Sequence, residues 1–130
     1  MSELFNVIQL IEPSADLYDT VAENTAKKLA NHEGQRNKST QIRRFYDELI
    51  MWQQKIRNNP DAYDQFLPMI RMLNAKAAYA LGRKLVDQNF VDLIKHCLVQ
   101  LKPGQPAVFD NFCLFMEAFM GFYKMYNKGQ

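Results

Sequence analysis

A chain of 130 residues that is 48% hydrophobic is the size of one compact domain, able to bury roughly two thirds of its unfolded surface. Five glycines, five prolines, no run of alternating β-branched residues and abundant Leu, Ala, Met, Lys and Gln exclude a β-rich fold. They predict an all-α chain, a compact bundle of about five helices forming a single domain over residues 1–130. The net charge is only +2, so it is the distribution of charge that carries information.

In chain order, Leu4, Val7, Ile8 and Ile11 recur at helical spacing and Pro13 ends the run. Residues 1–13 therefore read as a short amphipathic docking segment, on this chain or another. The segment lacks the basic start and small-residue cleavage site of a secretory signal. Ser14 is placed to cap a helix reaching about Ala30, with Leu17, Val21, Thr25 and Leu29 on one weak apolar face. Asn31 to Ser39 hold Gly, Asn and Ser without an apolar residue, which predicts a flexible basic loop over 31–38.

A second helix is expected from Ser39 or Thr40 to about Asn58, because Ile42, Phe45, Leu49, Trp52 and Ile56 alternate at three and four residues. Asn59 and Pro60 form a cap and first-position pair, and Asp61 and Asp64 suit the positive end of the helix they begin. Pro68 is expected to kink or restart that helix, which then reaches about Leu85 with Ile70, Leu73, Ala77 and Leu81 facing inward. Another helix carries Phe90, Leu93, Ile94, Cys97 and Leu101 and ends at Lys102 to Pro106. The last, Ala107 to about Tyr126, is apolar nearly all round and leaves Asp110, Glu117 and Lys124 as a narrow polar stripe. Such a helix is the centre of a bundle or part of a subunit interface. Its three charges oppose a membrane span, and a soluble cytoplasmic protein is expected.

No catalytic or metal-binding pattern is visible. G-x-x-x-x-G-K-[ST], H-E-x-x-H, G-x-S-x-G and paired Glu-x-x-His motifs are all absent. Cys97 and Cys113 stand in apolar helical patterns without metal-ligand spacing and read as small core residues. His32 and His96 read as solvated. The carboxylates of Asp47 with Glu48, or of Asp61 with Asp64, do not converge as an ion would require. No enzyme activity, metal or cofactor is expected.

The charges are segregated. Arg36, Lys38, Arg43 and Arg44 lie between Gly34 and Tyr46 without an acid, and Arg71, Lys76, Arg83 and Lys84 lie between Gln65 and Val86, again without one. The rest of the chain holds eight basic against fourteen acidic residues. That polarity predicts one basic surface suited to a polyanion. At 100° per residue, Lys76, Tyr79 and Arg83 lie within about 60° of one another, opposite the apolar face of their helix. Cations suit phosphate, and an outward tyrosine offers a face on which a base can stack. The ordinary alternative is a solvated helix face. In the first window Arg43 can also reach Asp47, and Arg44 can reach Glu48, at i,i+4. Lys38, Gln41 and the helix start at Ser39 and Thr40 would complete a phosphate seat.

The motifs KSTQIRRFYDEL (Lys38 to Leu49), FLPMIRMLNAKAAYALGRK (Phe66 to Lys84) and FMEAFMGFYK (Phe115 to Lys124) give the chain a family resemblance. It resembles the small helical subunit of type III-A CRISPR effector complexes, the Csm small-subunit family. The resemblance implies a non-catalytic bundle, several copies of which stack along guide RNA and target RNA for antiviral defence. Its implied partners are other copies of itself, the large polymerase-like subunit and the ferredoxin-like backbone subunits. The RNA-facing candidates are Arg36, Lys38, Arg43, Arg44, Arg71, Lys76, Tyr79, Arg83 and Lys84. Two other readings remain open at this point, a helical DNA-binding regulator and a dimeric helical adaptor without nucleic-acid affinity.

Overall fold

The computed structural model describes residues 5–127, and among them there is helix and no strand. A single π-helical turn, Leu17–Val21, leads into α1, Ala22–Ala30; α2 spans Ser39–Asn58. A 3₁₀ turn, Pro60–Ala62, precedes α3, Tyr63–Arg71; α4 is Leu73–Gly82, α5 is Gln88–Leu98 and α6 is Pro106–Tyr126. The all-α bundle read from composition is what forms. No described helix is long and apolar enough to cross a membrane.

α6 is the core member. It packs against α1, the π turn and α2, and it buries Phe109, Phe112, Phe115, Met116, Phe119 and Tyr123, while α4 pairs with α5. The exposed stripe of α6 runs through Asp110, Leu114, Glu117 and Lys124. On α2 every residue of the three-four stripe, Ile42, Phe45, Leu49, Trp52 and Ile56, is buried. Cys97 and Cys113 are buried free thiols, and burial raises both above the ordinary thiol range.

Three local expectations are corrected. The first concerns the N-terminal segment, of which Leu4 lies outside the described residues. Phe5, Ile8 and Leu10 are buried while Val7 and Ile11 are exposed, so the segment does not follow helical spacing. Side chains of α5, of the turn after it and of α6 satisfy its backbone instead. Ile8 O accepts from Gln100 Nε2 at 2.9 Å and lies 3.0 Å from His96 Nε2, Leu10 N donates to Gln100 Oε1 at 2.8 Å, and Leu10 O accepts from Asn111 Nδ2 at 2.8 Å. Residues 5–10 thus close the bundle of their own chain. His96 is consequently a partly buried hydrogen-bonding group and not a solvated one.

Second, helical structure begins at Leu17 with Asp16 in the cap position, and Ser14 supplies only a carbonyl to Leu17 N. Third, the chain stays helical through Pro68, which lies inside α3, and the restart comes at Leu73 after Met72. Pro68 removes one internal amide donor. The break falls where Met72 N bonds back three residues to Met69 O at 3.2 Å, a tighter turn than the α-helix allows.

The loop read as flexible contains a buried residue bonded through both its side chain and its backbone. Asn37 has no exposed surface and a left-handed φ of 57°, a conformation that asparagine tolerates better than most residues. Its Nδ2 donates to Leu29 O at 3.1 Å, its Oδ1 accepts from Asp87 N at 2.9 Å, and its N–H donates to Leu85 O at 2.9 Å. Its carbonyl accepts from the Tyr123 hydroxyl and from Asn127 Nδ2. Asn127 Oδ1 in turn lies 3.0 Å from Nε2 of His32, whose Nδ1 is buried without a partner, so neither histidine is solvated. Asn37 therefore joins the end of α1, the start of α2, the turn between α4 and α5, and the end of α6.

Lys84 is the other left-handed non-glycine residue, with φ 63°. Lys84 N bonds to Leu81 O and Leu85 N to Ala80 O, each at 2.9 Å, the double bond of a Schellman cap in which glycine is the usual occupant. The two sites should therefore respond oppositely to glycine. Lys84→Gly relieves about 1 kcal/mol of backbone cost and raises the denaturation midpoint, whereas Asn37→Gly keeps the backbone but strands Leu29 O and Asp87 N and lowers stability by about 2 kcal/mol. Chemical denaturation of both variants checks this pair of signs.

Candidate nucleic-acid interface

The anchoring of Asn37 brings the two acid-free windows together. Its amide bond to Leu85 O sets the 36–38 segment against the end of α4, and Arg36 Nη1 reaches Val86 O at 3.3 Å. Lys38, half-buried, occupies the cap position of α2 in extended conformation, and its carbonyl accepts from Gln41 N and Ile42 N at 2.9 and 3.0 Å. Lys84, exposed on its left-handed turn, follows α4 directly before Leu85.

Beyond this junction, α2 and α4 form a cleft of about 240 Å³ lined by Gln41, Arg44, Phe45, Glu48, Lys76, Tyr79, Ala80, Arg83 and Leu85. Gln41, Arg44 and Glu48 repeat at three and four residues on α2, and Lys76, Tyr79 and Arg83 do so on the facing helix. Each wall is thus one side-chain row. Tyr79 is 65% exposed, with the Arg83 guanidinium 5.7 Å from its ring centre and Arg83 Nη1 donating to its hydroxyl at 3.1 Å.

Glu48 is the acid in this cleft, and its partner is not the one its own helix offers. Lys76 Nζ donates to both carboxylate oxygens, at 2.8 and 2.9 Å, and Trp52 Nε1 donates to Oε2 at 3.2 Å. The expected Arg44–Glu48 pair is replaced by this bridge between helices. The buried Trp52 indole holds the carboxylate toward α4, where the short reach of Lys76 is satisfied on both oxygens. Arg44 makes no ion pair among the described residues. Arg43 does meet Asp47 as its spacing implies, but at 3.7 Å between side chains that are each more than 60% exposed, which is worth little.

The single basic surface expected from the windows is divided. Arg44, Lys76, Tyr79 and Arg83 share the α2–α4 cleft, with Arg36, Lys38 and Lys84 near its α4 end. Arg43 instead faces a separate hollow of about 390 Å³ with Ser39, Thr40, Met120, Tyr123 and Lys124. Arg71, at the end of α3, donates to Leu101 O at 2.6 Å and lines a third hollow with Asn74, Lys95, Leu98, Val99 and Lys102. The reason is geometric: adjacent arginines on a helix point about 100° apart, and Arg71 belongs to a different helix from Lys76. Lys95, Lys102 and Lys124 escape a charge count along the sequence because they are sparse, seven or more residues apart, and do not cluster in any one window. No group of three His, Cys, Asp or Glu side chains gathers as a metal ion would need among the described residues.

A model of the Csm2 Type III-A family matches residues 12–129. The chain belongs to that family. It is therefore a small subunit of the type III-A CRISPR effector, a structural component that works within the Csm complex alongside other subunits. The match covers α1 as well as the three motifs that carry the resemblance. No curated protein and no solved structure matches the chain.

In this Csm2 chain the Glu48–Lys76 bridge is half-exposed at the lysine. A double-mutant cycle with Glu48→Gln and Lys76→Met should return a coupling of about 0.5–1 kcal/mol that shrinks in high salt. A cycle with Arg44→Met in place of Lys76→Met should return none.

Proposed function

We propose that this chain is a non-catalytic small subunit that works in the cytoplasm, stacks in several copies and holds the backbone of guide and target RNA against the α2–α4 cleft. The observation that carries this reading is the convergence of Arg44, Lys76, Tyr79 and Arg83 from two sequence windows into one open cleft. Base pairing between guide and target reads the sequence, so the subunit needs only contact with phosphate that is indifferent to sequence. Repetition along the RNA turns weak single contacts into avidity. The neighbouring copies and the polymerase-like and ferredoxin-like subunits belong to this proposal as its protein partners.

Within the cleft the cations have different roles. Arg44, which has no acidic partner among the described residues, and Arg83, held over the Tyr79 ring, are the phosphate donors. Tyr79 presents a ring on which an unpaired base can stack. Lys76 is already engaged by Glu48, so the carboxylate competes with phosphate for it.

Binding of mixed-sequence single-stranded RNA, measured across a salt series, tests both roles. Arg44→Ala with Arg83→Ala should reduce the log–log salt slope by about 1.4, or about 0.7 for each phosphate that is no longer neutralised. Glu48→Gln should tighten binding severalfold by releasing Lys76. An unchanged slope in the first variant, or a clear preference of the native chain for one duplex DNA sequence, would contradict the proposal.

A further inference from the structure

The hollow lined by Arg71, Asn74, Lys95, Leu98, Val99 and Lys102 is assigned no role by the cleft between α2 and α4. It measures about 240 Å³, the same as that cleft, and three cations and an amide line it without an acid. Helix ends account for part of this charge. Arg71 closes α3 and Lys95 stands in the last turn of α5, where the negative ends of two helix dipoles favour cations. Two such ends amount to about one negative charge, each being about half a charge, against three positive ones. Arg71 also donates to Leu101 O at 2.6 Å, which fixes its guanidinium in place and leaves other N–H groups to donate. The hollow therefore keeps an uncompensated positive charge around a preformed recess.

Its position relative to the first cleft is set by α4. At 100° per residue, Asn74 lies about 160° from Lys76, so the two basic recesses flank opposite sides of one helix. On the solvent side between them come Ala75, Ala78 and Gly82, all exposed, and an added Cβ at Gly82 would meet nothing within 4 Å. Tyr79 and Arg83 stand at the cleft edge of that arc, and between them and Asn74 nothing longer than a methyl group stands on α4. Crossing one helix takes roughly 10 Å.

We infer that the Arg71–Lys95–Lys102 hollow is a second phosphate-binding site, taking the backbone of the same nucleic-acid strand that enters the α2–α4 cleft after the strand has crossed α4. The strand assignment rests on the proposed function; the anion site itself rests on the hollow. Lys95 and Lys102 are the donors free to follow the phosphate, Arg71 is the one held in place, by its bond to Leu101 O, and Asn74 adds an amide to the wall.

The test uses the full chain and mixed-sequence single-stranded RNA across a series of rising salt concentrations, with thermal unfolding as the control for folding. Lys95→Ala with Lys102→Ala should lower the salt slope by about 1.4 at unchanged melting temperature, and Lys95→Arg with Lys102→Arg should retain it. Arg71 is left intact because it supports Leu101. A slope unchanged in the alanine pair, while Arg44→Ala with Arg83→Ala lowers it, overturns the second site and leaves the first. A slope lowered only by the lysine pair keeps the second anion site and removes the α2–α4 cleft. RNA binding unchanged, together with loss of the other effector subunits on co-purification, identifies the hollow as a seat for an acidic protein surface and also overturns the inference.

Discussion

One buried asparagine constrains the rest of the molecule. Asn37 offers two side-chain and two backbone groups in a site with no exposed surface, and they find partners in α1, in the turn between α4 and α5, and on α6. An unpaired polar group in such a place costs about 1–3 kcal/mol, so the left-handed turn, the end of α4 and the Tyr123 hydroxyl are fixed together or not at all. Burial, with the nearby Asp87 charge adding to it, raises the Tyr123 hydroxyl above its ordinary range, which keeps it a proton donor to the Asn37 carbonyl. The result positions the start of α2 against the end of α4. A cleft between those helices follows from that junction.

Electrostatics then decides what the cleft can hold. Like charges gathered from separate segments repel, and the bundle relieves this in two ways. Glu48 takes up Lys76, and Tyr79 lies beneath Arg83. Both devices also set the side chains in defined places, which lowers the ordering cost of meeting a flexible polyanion. Elsewhere the positive charge rests on helix ends and open hollows, so the surface reads as several small cationic recesses, each shallow and each weak alone. The stacking in several copies proposed above suits that arrangement.

Much of this is legible in the sequence because helical periodicity is a local property. The inward faces of α2 and α5, the burial of α6 and the outward trio Lys76, Tyr79 and Arg83 all follow from residue spacing on one helix. What the sequence hides depends on pairings across the chain. Val7 and Ile11 keep helical spacing, yet the side chains of Gln100, His96 and Asn111 draw the backbone near them into an irregular strap. Glu48 has a candidate partner four residues away on its own helix and takes one from α4 instead. Asn37, inside a stretch that composition marks as loop, differs from its polar neighbours only by what lies around it after folding. Charge counting along the sequence finds eight cations but not their faces, and it passes over Lys95, Lys102 and Lys124 altogether.

The central claim is that nucleic acid enters the cleft between α2 and α4. Backbone amide chemical shifts of the isotopically labelled chain, followed during titration with mixed-sequence single-stranded RNA at low salt, test it most directly. The account predicts shifts concentrated in residues 36–48 and 76–87, with a second group around 71, 95 and 102, reversed as salt is raised. Shifts confined to the exposed stripe of α6, or none at RNA concentrations at which binding is otherwise detected, would contradict it.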